Sequence, residues 1–439
     1  PYFNVKLSLN RLLWLNMLPT ECDILVIGGG NAGFSAAISA AQSSRTKKRI
    51  ILIDKAPKTW AGGNTYFTAG AFRTVHSGLS DLLPLENNVD NATASKIDVP
   101  PYPASEFIND LQRMTSGRAD QALSQTLVSD SNDAVQWLAE IGVQFQLSFN
   151  RQAYEVDGRI KFWGGMALKT EDGGRGLIRA HRVTAGELGV EVYYSTAARR
   201  LRLDPETGAV VSVSVVVVHD DYEEKETEIK AKATILTAGG FEANPSLRAK
   251  HLGPDWVSAF VRGSPYNTGE VLMSAINDAA AQQAGDWTGC HSVAWDANAP
   301  RDAGDRKVSN EFTKSGYPLG IMVNCAGERF VDEGADLRNY TYAAVGRSIL
   351  AQPGGTAFQI WDAKTTGWLR DEEYRREIVE WICADTVTGL AEECARHGLE
   401  DKSRFIDTIT RFNHAVDAAG PHNRLKDWNP AVKDGLSTS

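Results

Sequence analysis

Residues 22–33 constrain the fold of this chain more than any other part of the sequence. The letters CDILVIG contain the apolar run 24–27 and end in glycine, as expected for a central parallel strand buried on both faces. GGGNAG follows with GxGxxG spacing, and the small residues of AAISAAQ then let a helix lie close to the sheet. Gly28 permits a tight turn, Gly30 lets backbone approach a pyrophosphate, and Gly33 allows close packing of helix on strand. We therefore predict a helix N-terminus that faces phosphates with its positive end.

A second predicted strand, residues 49–53, leads into Asp54, which lies 21 residues after Gly33. At that place an acid can accept hydrogen bonds from an adenosine ribose. The alternative for Asp54 is an acidic strand end exposed to water. A lone GxGxxG is weak evidence, because glycine loops without a ligand are common, but here strand, helix and second strand occur together. The combination predicts a dinucleotide site, with NAD and FAD both open at this point.

Two further regions with glycines follow predicted strands, the first after strand 49–53 and the second after a β-meander. GGNT (residues 62–65) and TAG (68–70) offer hydrogen-bond donors without bulk, which suits contact with a flat polar ring system, although they could also be a surface turn. The segments 201–203, 210–219 and 227–236 predict a β-meander that ends in TAGGFE. Glycines directly after a strand permit close approach to a cofactor, although alone they signify only a turn.

Bulk composition narrows the functional class. A chain of 439 residues predicts two or three domains. With 46 Lys and Arg against 55 Asp and Glu, the net charge of -9 gives no electrostatic reason to expect nucleic-acid binding, so an anionic substrate needs local cations. The five cysteines are widely spaced, without CxxC or a paired histidine, and indicate neither a disulfide framework nor a zinc site.

The sequence also bears on location. No stretch approaches the roughly 20 apolar residues of a membrane-spanning helix, so we expect a soluble, cytoplasmic protein without a membrane span. The first 16 residues carry Lys6 and Arg11 and no acid, which leaves a mitochondrial transit peptide as an alternative. The other interpretation is that Met17 is the true start and the residues before it are an extension.

Five segments, in order, resemble the flavoprotein family that contains fumarate reductase and succinate dehydrogenase flavoprotein subunits, and within it the tricarballylate dehydrogenases. They are VIGGGNAG, GGNTYFTAGAF, TILTAGGFEAN, NTGEVLMSAINDAAAQQAGDWTGCHSVAWD and GERFVDEGADLRNYTYAAVGRSIL. The resemblance implies an α/β fold, a Rossmann-like FAD-binding domain with an inserted α+β capping domain that closes over the flavin. Its bounds would be an extension 1–19, an FAD-binding domain 20–287 and a capping domain 288–439. Family members then return to the FAD domain through a glycine-rich segment, which we expect to be missing here.

The resemblance also assigns cofactor contacts. Members that attach FAD covalently have a histidine at the place of Asn64, so we expect noncovalent FAD. The family pattern TGDG is Thr268-Gly269-Glu270-Val271 here, a departure at this contact. The expected cofactor-binding residues are Gly28, Gly30, Asn31, Ala32, Gly33, Asp54, Lys55, Gly62, Gly63, Asn64, Thr65, Thr68, Gly70, Ala197, Ala238, Gly239 and Gly240.

The same resemblance implies two catalytic residues, Arg338 and His291. A flavin exchanges hydride, so the protein must exchange the proton, and Arg338 matches the family's proton-transferring arginine with a shift of one residue. Nearby acids, Asp332, Glu333 and Asp336, could relay protons to it. The alternative is a surface arginine paired with those acids. His291 matches a histidine that binds a substrate carboxylate, although a single histidine in such surroundings is more often structural.

The expected function is therefore FAD-dependent oxidation or reduction of a carbon–carbon bond in a small di- or tricarboxylate, such as tricarballylate or a fumarate-like alkene. The alternatives are another enoyl substrate, such as a 3-oxosteroid or urocanate, and a truncated, non-catalytic flavoprotein. The sequence has no CxxCH haem motif and no iron–sulfur cysteine run. We therefore expect electrons to pass to an electron-transfer partner or a soluble carrier.

Overall fold

The computed structural model describes residues 18–219, 222, 226–335 and 338–419. They divide into two compact units. The first contains the described residues up to Asn244 together with Gly263–Gln283, and the second contains Pro245–Arg262 and the described residues from Ala284 onward.

The first unit is a mixed α/β structure. Its strands are β1 (Glu21–Ile27), β2 (Ile50–Ile53), β3 (Ala71–Phe72), β4 (Ile97–Asp98), β5 (Phe145–Leu147), β6 (Ala153–Val156), β7 (Arg159–Phe162), β8 (Leu168–Thr170), β9 (Glu191–Tyr193), β10 (Thr196–Leu203), β11 (Val210–Val217) and β12 (Thr227–Leu236). Its α-helices are Asn31–Ser43, Leu79–Leu82, Asn91–Ala94, Ala104–Met114, Gln121–Ser129, Ser131–Glu140, Phe149–Gln152, Gly173–Glu187 and Glu270–Ala279. Short 3-10 helices cover Lys58–Trp60 and Gly63–Phe67.

A six-stranded sheet in the order β10-β11-β12-β1-β2-β9 organises this unit. β1 runs parallel to β12 and β2, and β2 runs parallel to β9. The last three strands of this unit, β10 to β12, are antiparallel neighbours, which confirms the predicted meander. β10 begins earlier than predicted because it continues past an irregularity between Ala198 and Arg200.

The central strand β1 is apolar because both of its faces are covered. Val26 packs with Phe34 and Ile38 of the following helix on one face, while Leu25 and Ile27 pack with a second core cluster that includes Val213. Successive side chains of a strand alternate between faces, so a strand between two cores needs apolar residues at consecutive positions. The predicted buried strand is therefore confirmed.

The second unit has helices Pro245–His251, Arg338–Leu350, Asp371–Tyr374, Val387–Arg396 and Lys402–Ala419, and an antiparallel pair β13 (Ile321–Val323) and β14 (Phe358–Ile360). Short 3-10 helices cover Pro254–Val257, Ser309–Phe312, Tyr317–Leu319, Pro353–Gly355 and Thr366–Trp368. Val323 and Phe405 are fully buried in its core. Across the described parts of the chain, no helix is both long enough and apolar enough to cross a membrane.

Candidate cofactor-binding site

A cleft in the first unit lies at the carboxyl ends of three neighbouring parallel strands. Ile27 of β1 stands opposite Leu236 of β12 and Ile53 of β2, so the three strands end at one level. Ligands of open α/β sheets bind outside the carboxyl ends of the strands. The cleft is lined by residues 27–32, 53–56, 63–65, 196, 198, 237–239, 264, 266, 267 and 269–272.

The turn after β1 requires glycine for steric reasons. Gly28 has φ +110°, and a Cβ there would lie 2.5 Å from the carbonyl oxygen of Thr237. A Cβ on Gly33 would lie 1.8 Å from the carbonyl oxygen of Gly28, so the helix that begins at Asn31 rests directly on the strand end. These contacts bring the first turn of the helix, whose first N–H groups lack intrahelical partners, to the floor of the cleft.

Asp54 is buried under the glycine turn. It is 9% exposed, so the alternative of an acidic strand end in water is wrong. Its Oδ2 accepts a hydrogen bond from the N–H of Gly29, and its Oδ1 accepts one from the N–H of Ala56, both at 2.8 Å. Burial raises the pKa of Asp54, and the two backbone hydrogen bonds and Lys55 oppose that rise. Each carboxylate oxygen has a second lone pair, so a ribose hydroxyl remains a compatible donor.

Asn64 joins the second glycine loop to two distant segments. Its Oδ1 accepts a hydrogen bond from the N–H of Ser264 at 2.8 Å, and its Nδ2 donates to Glu242. Asn267 donates to the same Glu242 oxygen at 2.6 Å. A carboxamide engaged in this way holds the loop in place and offers no nucleophile for a covalent flavin bond.

Lys55 neutralises the charge of Glu270, the acid at which this chain departs from the family pattern TGDG. Its Nζ lies 2.9 Å from Oε2 of Glu270 and also donates to the hydroxyl of Thr268. Burial raises the pKa of Glu270, but hydrogen bonds from Thr268 and Lys55 outweigh burial and the net shift is downward. Glu270 is therefore an anion paired with a cation, and its negative charge is neutralised locally.

Most of the predicted cofactor residues line the cleft together, namely Gly28, Gly30, Asn31, Ala32, Asp54, Lys55, Gly63, Asn64, Thr65, Ala238 and Gly239. The others, Gly33, Gly62, Thr68, Gly70, Ala197 and Gly240, are not among its lining residues. A Cβ on Gly62 would meet Ile178, and one on Gly70 would meet Thr170, so these two glycines serve close packing against neighbouring elements.

Ala197 is 1% exposed, whereas its neighbours Thr196 and Ala198 line the cleft. The sequence did not predict these two neighbours or Thr237 as lining residues. It also did not predict the segment that leads into the helix Glu270–Ala279, of which Ser264, Tyr266 and Asn267 line the cleft. The glycine of Thr268-Gly269 was the one local signal for that segment.

In the second unit, Arg338 begins a helix and donates from Nη1 to Oγ of Ser315 at 2.8 Å. The Ser315 hydroxyl donates to Glu373, whose Oε2 also accepts from the N–H of Ser315 at 3.0 Å. Glu373 is 1% exposed. Arg338 is therefore connected through one hydroxyl to a buried carboxylate that sequence reasoning missed.

Two of the acids predicted to serve Arg338 contact Arg329 in the structure. Glu333 accepts from Nε of Arg329 at 2.9 Å and from the N–H of Met322 at 2.6 Å. Asp332 lies 3.9 Å from Nη2 of Arg329, and Asp336 lies outside the described residues. Asp332 and Glu333 therefore contact Arg329, and their relay of protons to Arg338 stays a prediction.

His291 is an exposed residue whose ring lies against Tyr342. Its Nε2 is 3.1 Å from the Tyr342 hydroxyl, with ring centroids 5.2 Å apart. The pKa of His291 is lowered, first by desolvation of the imidazolium against the surrounding protein and second by repulsion from Arg262. At neutral pH the ring is therefore a neutral hydrogen-bonding group.

Comparison with known proteins gives a family match over most of the chain and several similar proteins. The sequence pattern of the family described as FAD binding domain matches residues 23–437. Fumarate reductase (cytochrome) of Shewanella frigidimarina is 28% identical over 411 residues, which cover 90% of this chain and 61% of that protein. Vinyl phenol reductase of Lactiplantibacillus plantarum is 29% identical over 322 residues, which cover 73% of this chain and 58% of that protein.

The chain thus spans about three fifths of the length of these relatives. Among solved structures, the open conformation of a flavocytochrome c3 fumarate reductase matches with a TM-score of 0.61 and 21% identity, over 98% of this chain and 67% of that one. At this level of identity the structural match shows the fold alone.

Proposed function

Since the chain belongs to the FAD binding domain family together with fumarate reductase flavoproteins, we propose that it oxidises or reduces a carbon–carbon bond of a small di- or tricarboxylate. Its cofactor is FAD. The observation that carries the proposal is the glycine-lined cleft at the ends of β12, β1 and β2, because this place and these residues suit a pyrophosphate-containing nucleotide.

The residues of the cleft fit FAD in three respects. Gly30 leaves backbone without a side chain beside the first turn of the helix, and the nearest atom to its Cβ position is Thr65 Oγ1 at 3.4 Å, so a phosphate can approach there. Thr65 Oγ1 accepts a hydrogen bond from the N–H of Asn31 at 2.9 Å, so its own hydroxyl hydrogen is available to a ligand. Asp54 retains acceptor capacity for a ribose hydroxyl. We propose that these residues hold FAD noncovalently, with Asn64 as a loop support.

Bound FAD would supply hydride transfer, and the protein must then exchange the proton. We propose Arg338 for this role and His291 as a ligand of a substrate carboxylate. The hydrogen bond from Arg338 to Ser315, and the one from Ser315 to Glu373, orient the guanidinium. We also propose that the second unit belongs to the capping domain inserted in the FAD fold, and that electrons pass through a soluble carrier or a partner protein.

A second candidate for the substrate class has support from one relative of this chain. The chain resembles a vinyl phenol reductase about as closely as a fumarate reductase, and that relative's name refers to an alkene without a carboxylate. An exposed neutral His291 is compatible with either substrate, because it can donate a hydrogen bond to a carboxylate or to a phenol. A carboxylate remains our first candidate because the guanidinium of Arg338 carries a positive charge that attracts it.

The test begins with the purified protein, which should show flavin absorbance and release FAD on extraction. Turnover is then measured with tricarballylate and succinate against an artificial acceptor, and with fumarate and a vinyl phenol against a reduced donor. Turnover of a carboxylate supports the proposal. A flavin-bearing protein that reduces only the vinyl phenol favours the alternative, and a protein that binds no FAD contradicts both.

Arg338→Lys tests the proton carrier. Lysine keeps the charge but loses the planar fork and shortens the reach, so kcat should fall by about 10²- to 10⁴-fold, as expected for a lost general acid or base, with FAD still bound. A carboxylate clamp would instead raise KM with little change in kcat. Arg347→Lys is the matched control on the same helix, since Arg347 bonds to the carbonyl oxygen of Thr288 at 3.2 Å, and it should leave kcat near the wild-type value.

A further inference from the structure

His181 is a fully buried histidine of the first unit, outside the residues assigned so far to cofactor binding or catalysis. It lies on the helix Gly173–Glu187, and its ring stacks on Phe34 with centroids 6.0 Å apart. Nε2 lies 2.7 Å from Oδ1 of Asn31, while Nδ1 is buried and has no hydrogen-bond partner among the described residues. Burying a polar ring with one nitrogen unpaired costs free energy, and an apolar ring would fill the position at lower cost. The bond to Asn31 is therefore the feature that distinguishes histidine here.

The direction of this bond follows from the two chemical groups. A carboxamide oxygen only accepts, so Nε2 must carry the hydrogen and Nδ1 must hold a lone pair. The opposite arrangement would place an N–H at Nδ1 in the core with no acceptor, and an orphaned N–H is rarer than an under-satisfied acceptor. Burial also lowers the pKa of His181 to about 4, so the ring is neutral at physiological pH.

The other end of the Asn31 side chain belongs to the cleft. Asn31 lines the cleft, and its Oδ1 is held by His181. Its backbone N–H is used as well, by the hydroxyl of Thr65. Among the residues that the structure describes, none accepts a hydrogen bond from Asn31 Nδ2. The carboxamide hydrogens are thus the donors that Asn31 offers at the N-terminus of the helix.

We propose that His181 is a positioning residue for the cofactor: its Nε2–H fixes the Asn31 carboxamide so that Nδ2 donates to the pyrophosphate of FAD. The proposal rests on the proposed function in taking FAD as the ligand of this cleft. A reversed carboxamide would present its oxygen to an anion, which is repulsive. Holding the side chain in one orientation also removes the entropy that a free carboxamide would lose on binding.

The experiment measures the dissociation constant of FAD for the apoprotein by flavin fluorescence, without turnover. His181→Phe keeps an aromatic ring against Phe34 but removes the donor, and should weaken FAD binding by about tenfold. His181→Gln can donate from its own amide and should bind FAD within about threefold of wild type. Asn31→Ala should lose about tenfold by itself, and adding His181→Phe to it should change affinity by no more than about twofold.

His76 provides the matched control. It is 4% exposed, lies in the same unit and packs against Tyr102, and within the described part of the chain neither ring nitrogen has a hydrogen-bond partner. His76→Phe should therefore leave FAD affinity unchanged while disturbing a buried histidine to a similar degree, as measured by thermal unfolding of each apoprotein.

Three outcomes would overturn the inference: wild-type affinity in His181→Phe, wild-type affinity in Asn31→Ala, or a full tenfold loss from His181→Phe in the Asn31→Ala background. If His181→Phe does not fold, wild-type affinity in Asn31→Ala still overturns the inference. A wild-type chain that binds no FAD is a different result, because it contradicts the proposed function itself.

Discussion

Two helical glycines of the first unit should respond to alanine in opposite directions. A Cβ on Gly33 would lie 1.8 Å from the Gly28 carbonyl oxygen and 2.9 Å from Oγ1 of Thr237, where ordinary contact is 3.4–4 Å. The nearest atom is backbone, so no rotamer change relieves the clash and the helix Asn31–Ser43 must move off the strand. Gly186 lies on the helix Gly173–Glu187, and apart from its own helix backbone no atom of the described residues lies within 4 Å of its Cβ position.

The magnitudes follow from packing and propensity. Overpacking costs about 1–3 kcal/mol and occasionally more, and the backbone clash at Gly33 places it at the upper end, about 3 kcal/mol. For a unit of this size each kcal/mol shifts Tm by about 2–4 °C, so Gly33→Ala should lower Tm by about 6–12 °C. Gly186→Ala gains about 0.5–1 kcal/mol of helix propensity and should raise Tm by about 1–4 °C.

Both variants are compared with wild type by calorimetry of the apoprotein and by FAD titration. Displacing the helix also moves its first turn away from the phosphates, so Gly33→Ala should weaken FAD binding by at least about tenfold. Gly186→Ala should bind FAD like wild type. Equal Tm shifts for the two variants, or a Gly33→Ala protein with unchanged Tm and affinity, would refute the close packing of helix on strand as the basis of the site.

Three further predictions follow from the same unit. Acid precipitation should release all flavin into the supernatant, since Asn64 cannot form a covalent bond, and yellow colour in the pellet would contradict this. Asp54→Ala should raise the dissociation constant of FAD at least about tenfold. It also leaves the N–H groups of Gly29 and Ala56 without their acceptor, which should lower the free energy of unfolding by about 1–3 kcal/mol for each N–H group. The control is Asp23→Ala, at a partly exposed acid of β1, which should leave FAD affinity intact. Because burial lowers the pKa of His181 from 6.5 to about 4, its neutral form contributes stability that is complete above pH 6.5 and is lost as the pH falls toward 4, about 3 kcal/mol in total. Urea unfolding of apoprotein across this range should show a shallower pH dependence for His181→Gln, and parallel curves for variant and wild type would count against it.

The local sequence was sufficient for the dinucleotide turn. Strand, glycine spacing and helix are set by interactions within about a dozen residues, so their pattern is readable without tertiary information. The meander and the acid at the end of β2 were also predictable, because alternation and strand ends are local properties. The family resemblance then supplied the choice of FAD over NAD, which the turn alone left open.

The sequence could not determine which residues of strand β10 face the cleft. Ala197 was chosen as a cofactor residue, but Thr196 and Ala198 line the cleft. Successive strand residues face opposite sides, and which side meets the cleft depends on how β10 docks on β11, a pairing between separate segments.

The hydrogen-bonding partners of the polar side chains were decided by the tertiary structure. Asn64 meets Ser264 across 200 positions, and His181 meets Asn31 across 150. Arg338 donates to Ser315 across 23 positions, and Ser315 donates to Glu373 across 58. A side chain's type fixes what it can donate or accept, but hydrogen bonds need donor–acceptor distances of about 3 Å, and only the packing of distant elements brings those atoms within that distance.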